Sequence, residues 1–184
     1  MTPGNIIFEG ETDDGNGFTI RYPKYDDVRI LHRYINTLSK EQTYVTFQGE
    51  AISLKKEKEF LDYQLERIIQ KQAILLLLDV DGMIGGVGGI DLKDHTSSHI
   101  GVMAISLAKE LRGKGIGGLF LEKLLEEAKN NLSDMKLITL SVFAVNTAAI
   151  HLYQRFGFNE YGRLPGGILY KDKYVDQIEM CKEV

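Results

Sequence analysis

The chain has 184 residues, 43% hydrophobic and 26% charged, enough apolar material for one folded domain and far from the composition of a disordered chain. Its 22 Lys and Arg are scattered and outnumbered by 26 Asp and Glu, giving a net charge of -4, so no nucleic-acid partner is expected. The longest apolar run, Ala73 to Leu78, is far short of the roughly 20 residues of a membrane span, and Met1 to Glu11 lacks the basic start and apolar stretch of a secretory signal, so a cytoplasmic protein without membrane contact is expected.

In chain order, Ile6 to Phe8 and Phe18 to Tyr22 read as two strands joined by a turn-rich acidic stretch from Glu11 to Gly17. From Lys24 to Gln72 the apolar period becomes helical, with Val28, Leu31 and Ile35 on one face and a second stripe of Phe60, Leu61, Leu65, Ile68 and Ile69, which fits two or three helices. The segment between them, Ser39 to Gly49, mixes polar and aromatic residues and either lines a cleft or simply joins helices.

Ala73 to Val80 predicts a buried strand, Asp81-Gly82 a two-residue hairpin turn, and Met83 to Leu92 the returning strand. Glycines crowd Gly85 to Gly89, a sign of either a bulge or a close backbone approach. His99 to Leu107 predicts a third strand, Gly115 to Asn130 a helix, Leu137 to Val145 a strand, and Thr147 to Phe156 a helix capped by Gly157. Phe158 to Arg163 and Tyr174 to Met180 close the pattern around a loop at Leu164-Pro165-Gly166-Gly167. This order predicts a three-layer α/β (α+β) domain around a mostly antiparallel sheet.

Cys181 is the sole cysteine, which rules out an internal disulfide and argues against a thiolate zinc site, and His95 and His99 have no evident third ligand, so no metal is expected. Gly113-Lys114-Gly115-Ile116-Gly117-Gly118 formally contains the dinucleotide fingerprint, but Ala108 to Arg112 separates it from the preceding strand, and the next strand ends in Val145-Asn146 without the acidic residue that would bind ribose. What survives is physical: side chains are missing where a helix begins, so backbone N–H groups can approach an anion such as a pyrophosphate, with Arg112 and Lys114 adding positive charge. A flexible turn with solvated basic residues would look the same.

Arg112 to Gly117 matches R/Q-x-x-G-x-G/A, and Asn146 to Phe158 matches N-x-x-A-x-x-x-Y-x-x-x-G-F beyond an intervening strand. Together these resemble the GNAT family of acetyl-CoA-dependent N-acetyltransferases. The resemblance implies a central sheet splayed in its middle with helices on both faces. It makes residues 18–184 the transferase domain and 1–17 an extension.

It also implies that Ile105-Ser106-Leu107 diverges from Leu140-Ser141-Val142 to admit the pantetheine arm, with backbone groups of 105 and 107 pairing with its amides. By the same resemblance, Arg112, Gly113, Lys114, Gly115, Ile116, Gly117 and Gly118 wrap the pyrophosphate, while Asn146 and Ala149 flank the pantetheine arm. Asn146 is equally an N-cap for its helix, and Ala149 a good helix former. Tyr153 matches the tyrosine that protonates the departing thiolate, though it also suits the core.

The implied activity is transfer of acetyl from acetyl-CoA to a primary amine of a small molecule or peptide in a ternary complex, without metal. The other reading is a CoA-binding sensor or interaction module that has lost transfer. The strand ahead of the glycine loop carries no carboxylate, so no base is assigned among Glu41, Glu50, Asp91 and His99, and a water chain serves equally. Acceptor choice falls to Ser39 to Gly49 and Leu164 to Lys173, and a homodimer through the closing strands is compatible with the pattern.

Overall fold

Strands and helices interleave along the chain in the computed structural model, which describes residues 1–12 and 15–184. Asp13 and Asp14 of the expected acidic turn lie outside the described residues. The elements are β1 (Ile6–Glu11), β2 (Gly17–Arg21), α1 (Val28–Glu41), α2 (Leu54–Ile69), β3 (Ala73–Val80), β4 (Met83–Leu92), β5 (Ile100–Leu107), α3 (Ile116–Asn131), β6 (Leu137–Phe143), α4 (Thr147–Arg155), β7 (Asn159–Tyr170) and β8 (Lys173–Glu183). They build one 8-stranded sheet in the order β1-β2-β3-β4-β5-β6-β8-β7. Every neighbouring pair is antiparallel except β5 with β6.

The β3–β4 hairpin turns where Asp81 (φ 50) and Gly82 (φ 79) both take the left-handed conformation that a tight two-residue turn requires. Alternation along β3 then feeds two cores. Leu77 packs with Leu31, Tyr34 and Leu38 of α1 and Leu61 and Leu65 of α2, whereas Ile74, Leu76 and Leu78 join Phe120, Leu121 and Leu124 of α3. The sheet therefore has helices on both faces.

Both readings of the glycine-rich strand are realised. Gly85 is the extra residue where the β3–β4 register shifts between Leu78 and Asp79. Gly88 lets α3 lie close, since a Cβ there would stand 3.2 Å from both Phe120 and Leu124.

Arg21 anchors α1 to the sheet: its guanidinium donates to both carboxylate oxygens of Asp27, just ahead of α1, at 2.6 and 3.0 Å, and to Asp79 of β3 at 2.9 and 3.0 Å.

Three expectations are corrected. On α2 the i, i+4, i+7 set Leu61, Leu65 and Ile68 is buried, but Phe60 and Ile69 flank it and stay 41% and 59% exposed. On α1 the buried apolar face is Leu31, Tyr34 and Leu38, with Val28 and Ile35 only half-buried. Leu164-Pro165-Gly166-Gly167 is no loop between strands but an irregularity inside β7, where the register with β8 shifts between Leu164 and Ile168. Pro165 is tolerated because β7 is the sheet's edge and the ladder is already interrupted there. The hairpin turns instead at Lys171 (φ 48) and Asp172 (φ 60).

Candidate active site

β5 and β6 separate soon after they meet. Only Ile100, Gly101 and Val102 pair with Leu137, Ile138 and Thr139. Beyond that point β5 stays on β4 as far as Leu107 with Gly86, and β6 stays on β8 as far as Phe143 with Gln177, so a wedge opens between two strands that are each held from outside.

Lys93 N donates to Ile100 O at 2.9 Å and Ala108 N to Gly85 O at 2.8 Å. By the alternation of an antiparallel ladder, even-numbered residues of β5 bond to β4 while Ile105 and Leu107 turn their backbone groups into the wedge. Ser106, the third residue singled out on this strand, instead faces α1 with its side chain. Its Oγ lies 3.0 Å from the Tyr34 hydroxyl and donates to Val87 O at 3.4 Å.

At the mouth of the wedge lies the glycine loop. Gly113 (φ 77) and Gly115 (φ 76) are both left-handed, with open space where a Cβ would be. The first backbone bonds of α3 are donated by Gly118 and Leu119 to Gly115 O, at 3.0 and 3.4 Å. The N–H groups of Gly113, Gly115, Ile116 and Gly117 find no acceptor among the described residues, and Gly115 caps the helix without a side-chain bond. Four orphan donors at a helix start are an arrangement suited to an anion.

The individual positions divide the work. Ile116 is buried and offers only its backbone. Gly117 permits close packing on β5, since a Cβ would stand 3.1 Å from Leu107 Cδ1. Gly118 has its N–H committed to the first helical turn. Lys114 is exposed at the loop's tip.

Arg112 points back toward the wedge. Its Nε and Nη2 donate to Leu107 O at 3.0 and 2.8 Å, and Nη2 also meets Glu41 Oε2 at 2.8 Å, joining this loop to the end of α1.

α4 begins at Asn146, whose Oδ1 accepts from Ala149 N at 3.3 Å, the side-chain cap expected of it. Ala149 is half-buried against the α3-side core. On the same helix Tyr153 is 8% exposed, its ring 5.9 Å from Phe158 and tilted at 61°. Burial alone pushes its phenol up to about 12, so at neutral pH the hydroxyl keeps its proton.

Of the candidate bases, Asp91 is bonded to Gln64 and Arg67, and His99 precedes β5 at the closed end of the wedge, where its carbonyl accepts from Lys136 N and Leu137 N. Glu50 accepts from Gln48 N within its own loop. Glu41 alone reaches the wedge, paired to Arg112.

Sequence patterns gave no hint of Tyr34, a buried helical tyrosine whose phenol is raised above its ordinary value, chiefly by burial. Nor did they suggest that Tyr44, Phe143 and Tyr170 would meet, with ring centroids 5.3 to 5.8 Å apart. Among the described residues no three His, Cys, Asp or Glu cluster as metal ligands would.

The sequence matches the model of the acetyltransferase (GNAT) family over residues 36–158. The chain belongs to that family. A GNAT acetyltransferase from Streptococcus pneumoniae superposes with a TM-score of 0.82 at 28% identity, covering 91% of this chain and 99% of that one. Salmonella typhimurium yncA, a putative acetyltransferase solved with acetyl-CoA, has the same GNAT fold, with a TM-score of 0.76 at 17% identity over 90% of this chain and 93% of its own. A probable spermine N(1)-acetyltransferase from Bacillus subtilis subsp. natto (strain BEST195) is 36% identical over 72 residues, 39% of this chain and 47% of that protein, so the match spans about half of that relative.

Proposed function

We propose that the chain is an N-acetyltransferase that moves acetyl from acetyl-CoA to the primary amine of a small molecule or peptide, donor and acceptor being bound together. Residues 18–184 form the transferase domain, and the preceding 17 residues contribute β1 along the sheet's edge. The observation that carries the reading is the wedge: the inward-turned backbone of Ile105 and Leu107 continues into the orphan N–H groups of the glycine loop. This spacing of strand groups and anion cradle suits a long ligand with amides at one end and phosphates at the other. Acetyl-CoA fits it, and the family match and the complex of yncA support that choice. A spermine-directed relative supports an amine acceptor.

When bound, acetyl-CoA supplies an activated thioester. Ile105 and Leu107 hold the pantetheine amides, Gly113, Gly115, Ile116 and Gly117 donate to the pyrophosphate, and Arg112 and Lys114 add charge at that end. Asn146 and Ala149 border the arm from α4.

The acceptor amine, of pKa about 10.4 when lysine-like, must shed a proton before it attacks. β5 carries no carboxylate to take that proton, the base is unassigned, and in this reading water leads the proton to solvent. The C–N bond forms at the thioester carbonyl before the C–S bond breaks, the attacking nitrogen then gives its remaining extra proton to water, and Tyr153 gives its phenolic proton to the leaving sulfur and recovers one from solvent. Burial keeps the proton on this phenol at neutral pH, so it is there to be given to the sulfur.

The test is CoA thiol release from acetyl-CoA across polyamines, aminoglycosides, amino acids and peptides, with background hydrolysis subtracted. A saturable acceptor-dependent rate supports transfer. A blank panel with acetyl-CoA bound in calorimetry contradicts it and favours a binding module.

A further inference from the structure

Beyond the last parallel pair, Val102 with Thr139, the same number of positions along each strand reaches Ser106 on β5 and Phe143 on β6, so the two stand level across the wedge. Leu140 and Val142 of β6 belong to the α3-side core, so alternation places Phe143 on the α1–α2 face, the face on which Ser106 meets Tyr34. There Phe143 completes an aromatic triad from three separate segments. Tyr44 comes from the connection between α1 and α2, and Tyr170 from the last position of β7. Phe143 lies 5.8 Å from Tyr44 and 5.5 Å from Tyr170, and Tyr44 lies 5.3 Å from Tyr170.

These rings lie on the face of the sheet opposite α3, the helix that follows the glycine loop. Tyr44 is 39% exposed, so the triad is not sealed into a core. Lys171 Nζ lies 5.1 Å from the centroid of the Tyr170 ring, so an ammonium of the chain itself stands where a substrate's charged amine would take its place. The connection from 42 to 53 contains Glu50 and neither Lys nor Arg, and Glu41 precedes it.

Resting on the transferase reading above, we propose that Tyr44, Phe143 and Tyr170 form an acceptor subsite for a second amine that stays protonated at neutral pH, making a linear diamine or polyamine the substrate class. One amine must be neutral to attack the thioester. The other stays charged and is held on the ring faces, which fixes the reacting nitrogen in the wedge.

The experiment compares kcat/KM for putrescine and spermidine with that for n-butylamine, using the full chain. The expected preference is about tenfold for the multiply charged amines, the scale of a cation–π contact. It should collapse toward unity in Tyr44→Leu and Tyr170→Leu and return in Tyr170→Phe. Tetramethylammonium, which cannot be acetylated, should inhibit competitively against putrescine and not against acetyl-CoA, a readout that needs no variant.

Equal kcat/KM for diamine and monoamine, or turnover confined to amino acids or peptides, overturns the subsite while leaving transfer standing. Failure to acetylate any amine by a chain that binds acetyl-CoA overturns both.

Discussion

Arg112 Nη2 lies 2.8 Å from Glu41 Oε2, a contact that ties the loop ahead of α3 to the C-terminal end of α1. The same guanidinium bonds Leu107 O, a carbonyl at the open end of the wedge, so one side chain spans the proposed donor and acceptor sides. Arg112→Ala should weaken acetyl-CoA binding about tenfold, the scale of one charge-assisted hydrogen bond. The melting temperature should barely move, because a partly exposed pair adds little stability. Calorimetry and thermal melting separate the two effects, and an unchanged Kd would remove Arg112 from the donor site.

Tyr153→Phe keeps the ring and deletes a hydroxyl whose pKa is moved by burial alone. The expected result is a kcat lower by about 100-fold, the scale of a lost general acid, with acetyl-CoA affinity and neutral-pH stability essentially intact. In the wild type, turnover should rise with pH toward 10 as the acceptor amine loses its proton, without a fall caused by this phenol.

The stability linkage of Tyr153 has the opposite direction. Its folded phenol keeps the proton up to about 12 against an ordinary 10.0. Stability tied to it is therefore whole below pH 10 and lost as pH climbs from 10 toward 12. Alkaline unfolding curves should show a smaller loss in Tyr153→Phe.

Gly115→Ala isolates backbone geometry. No atom lies within 4 Å of the added Cβ, but φ is 76, a conformation that costs an L-residue about 1–2 kcal/mol. A modest fall in melting temperature with a larger loss of acetyl-CoA affinity is expected, because relaxation of this residue redirects the N–H groups of the cradle. Equal affinity in the variant would show that the loop geometry is dispensable for binding.

Asp27→Ala probes the anchor of α1. Arg21 and Asp27 side chains are 8% and 2% exposed, so the variant strands a buried guanidinium with Asp79 as its remaining charged partner among the described residues. A loss of about 3–5 kcal/mol is expected from denaturant titration. Loss of less than about 1 kcal/mol would mean that the pair is solvated.

Elements with local punctuation were readable before the structure. β3 and β4 fall where Asp81-Gly82 divides two apolar runs, and α4 lies between its Asn146 cap and Gly157, which takes φ 86. The glycine loop was readable because missing side chains are themselves a signal. Position in the tertiary fold was not. Pro165 and two glycines read as a loop, yet an edge strand absorbs them as an irregularity, which moves the turn to Lys171-Asp172 and carries Tyr170 to Tyr44 and Phe143. Arg112 carried no mark of its bond to Glu41, and Tyr34 none of its bond to Ser106, since each pair joins segments remote in sequence.

The most direct test of the donor wedge is residue-resolved amide hydrogen exchange with and without acetyl-CoA. New protection should concentrate at Ile105, Leu107, Gly113, Gly115, Ile116 and Gly117, whose N–H groups are unpaired in the wedge and cradle, while Gly118, already bonded to Gly115, changes least. Binding without protection at the β5 and glycine-loop positions would contradict the account and place acetyl-CoA elsewhere on the protein.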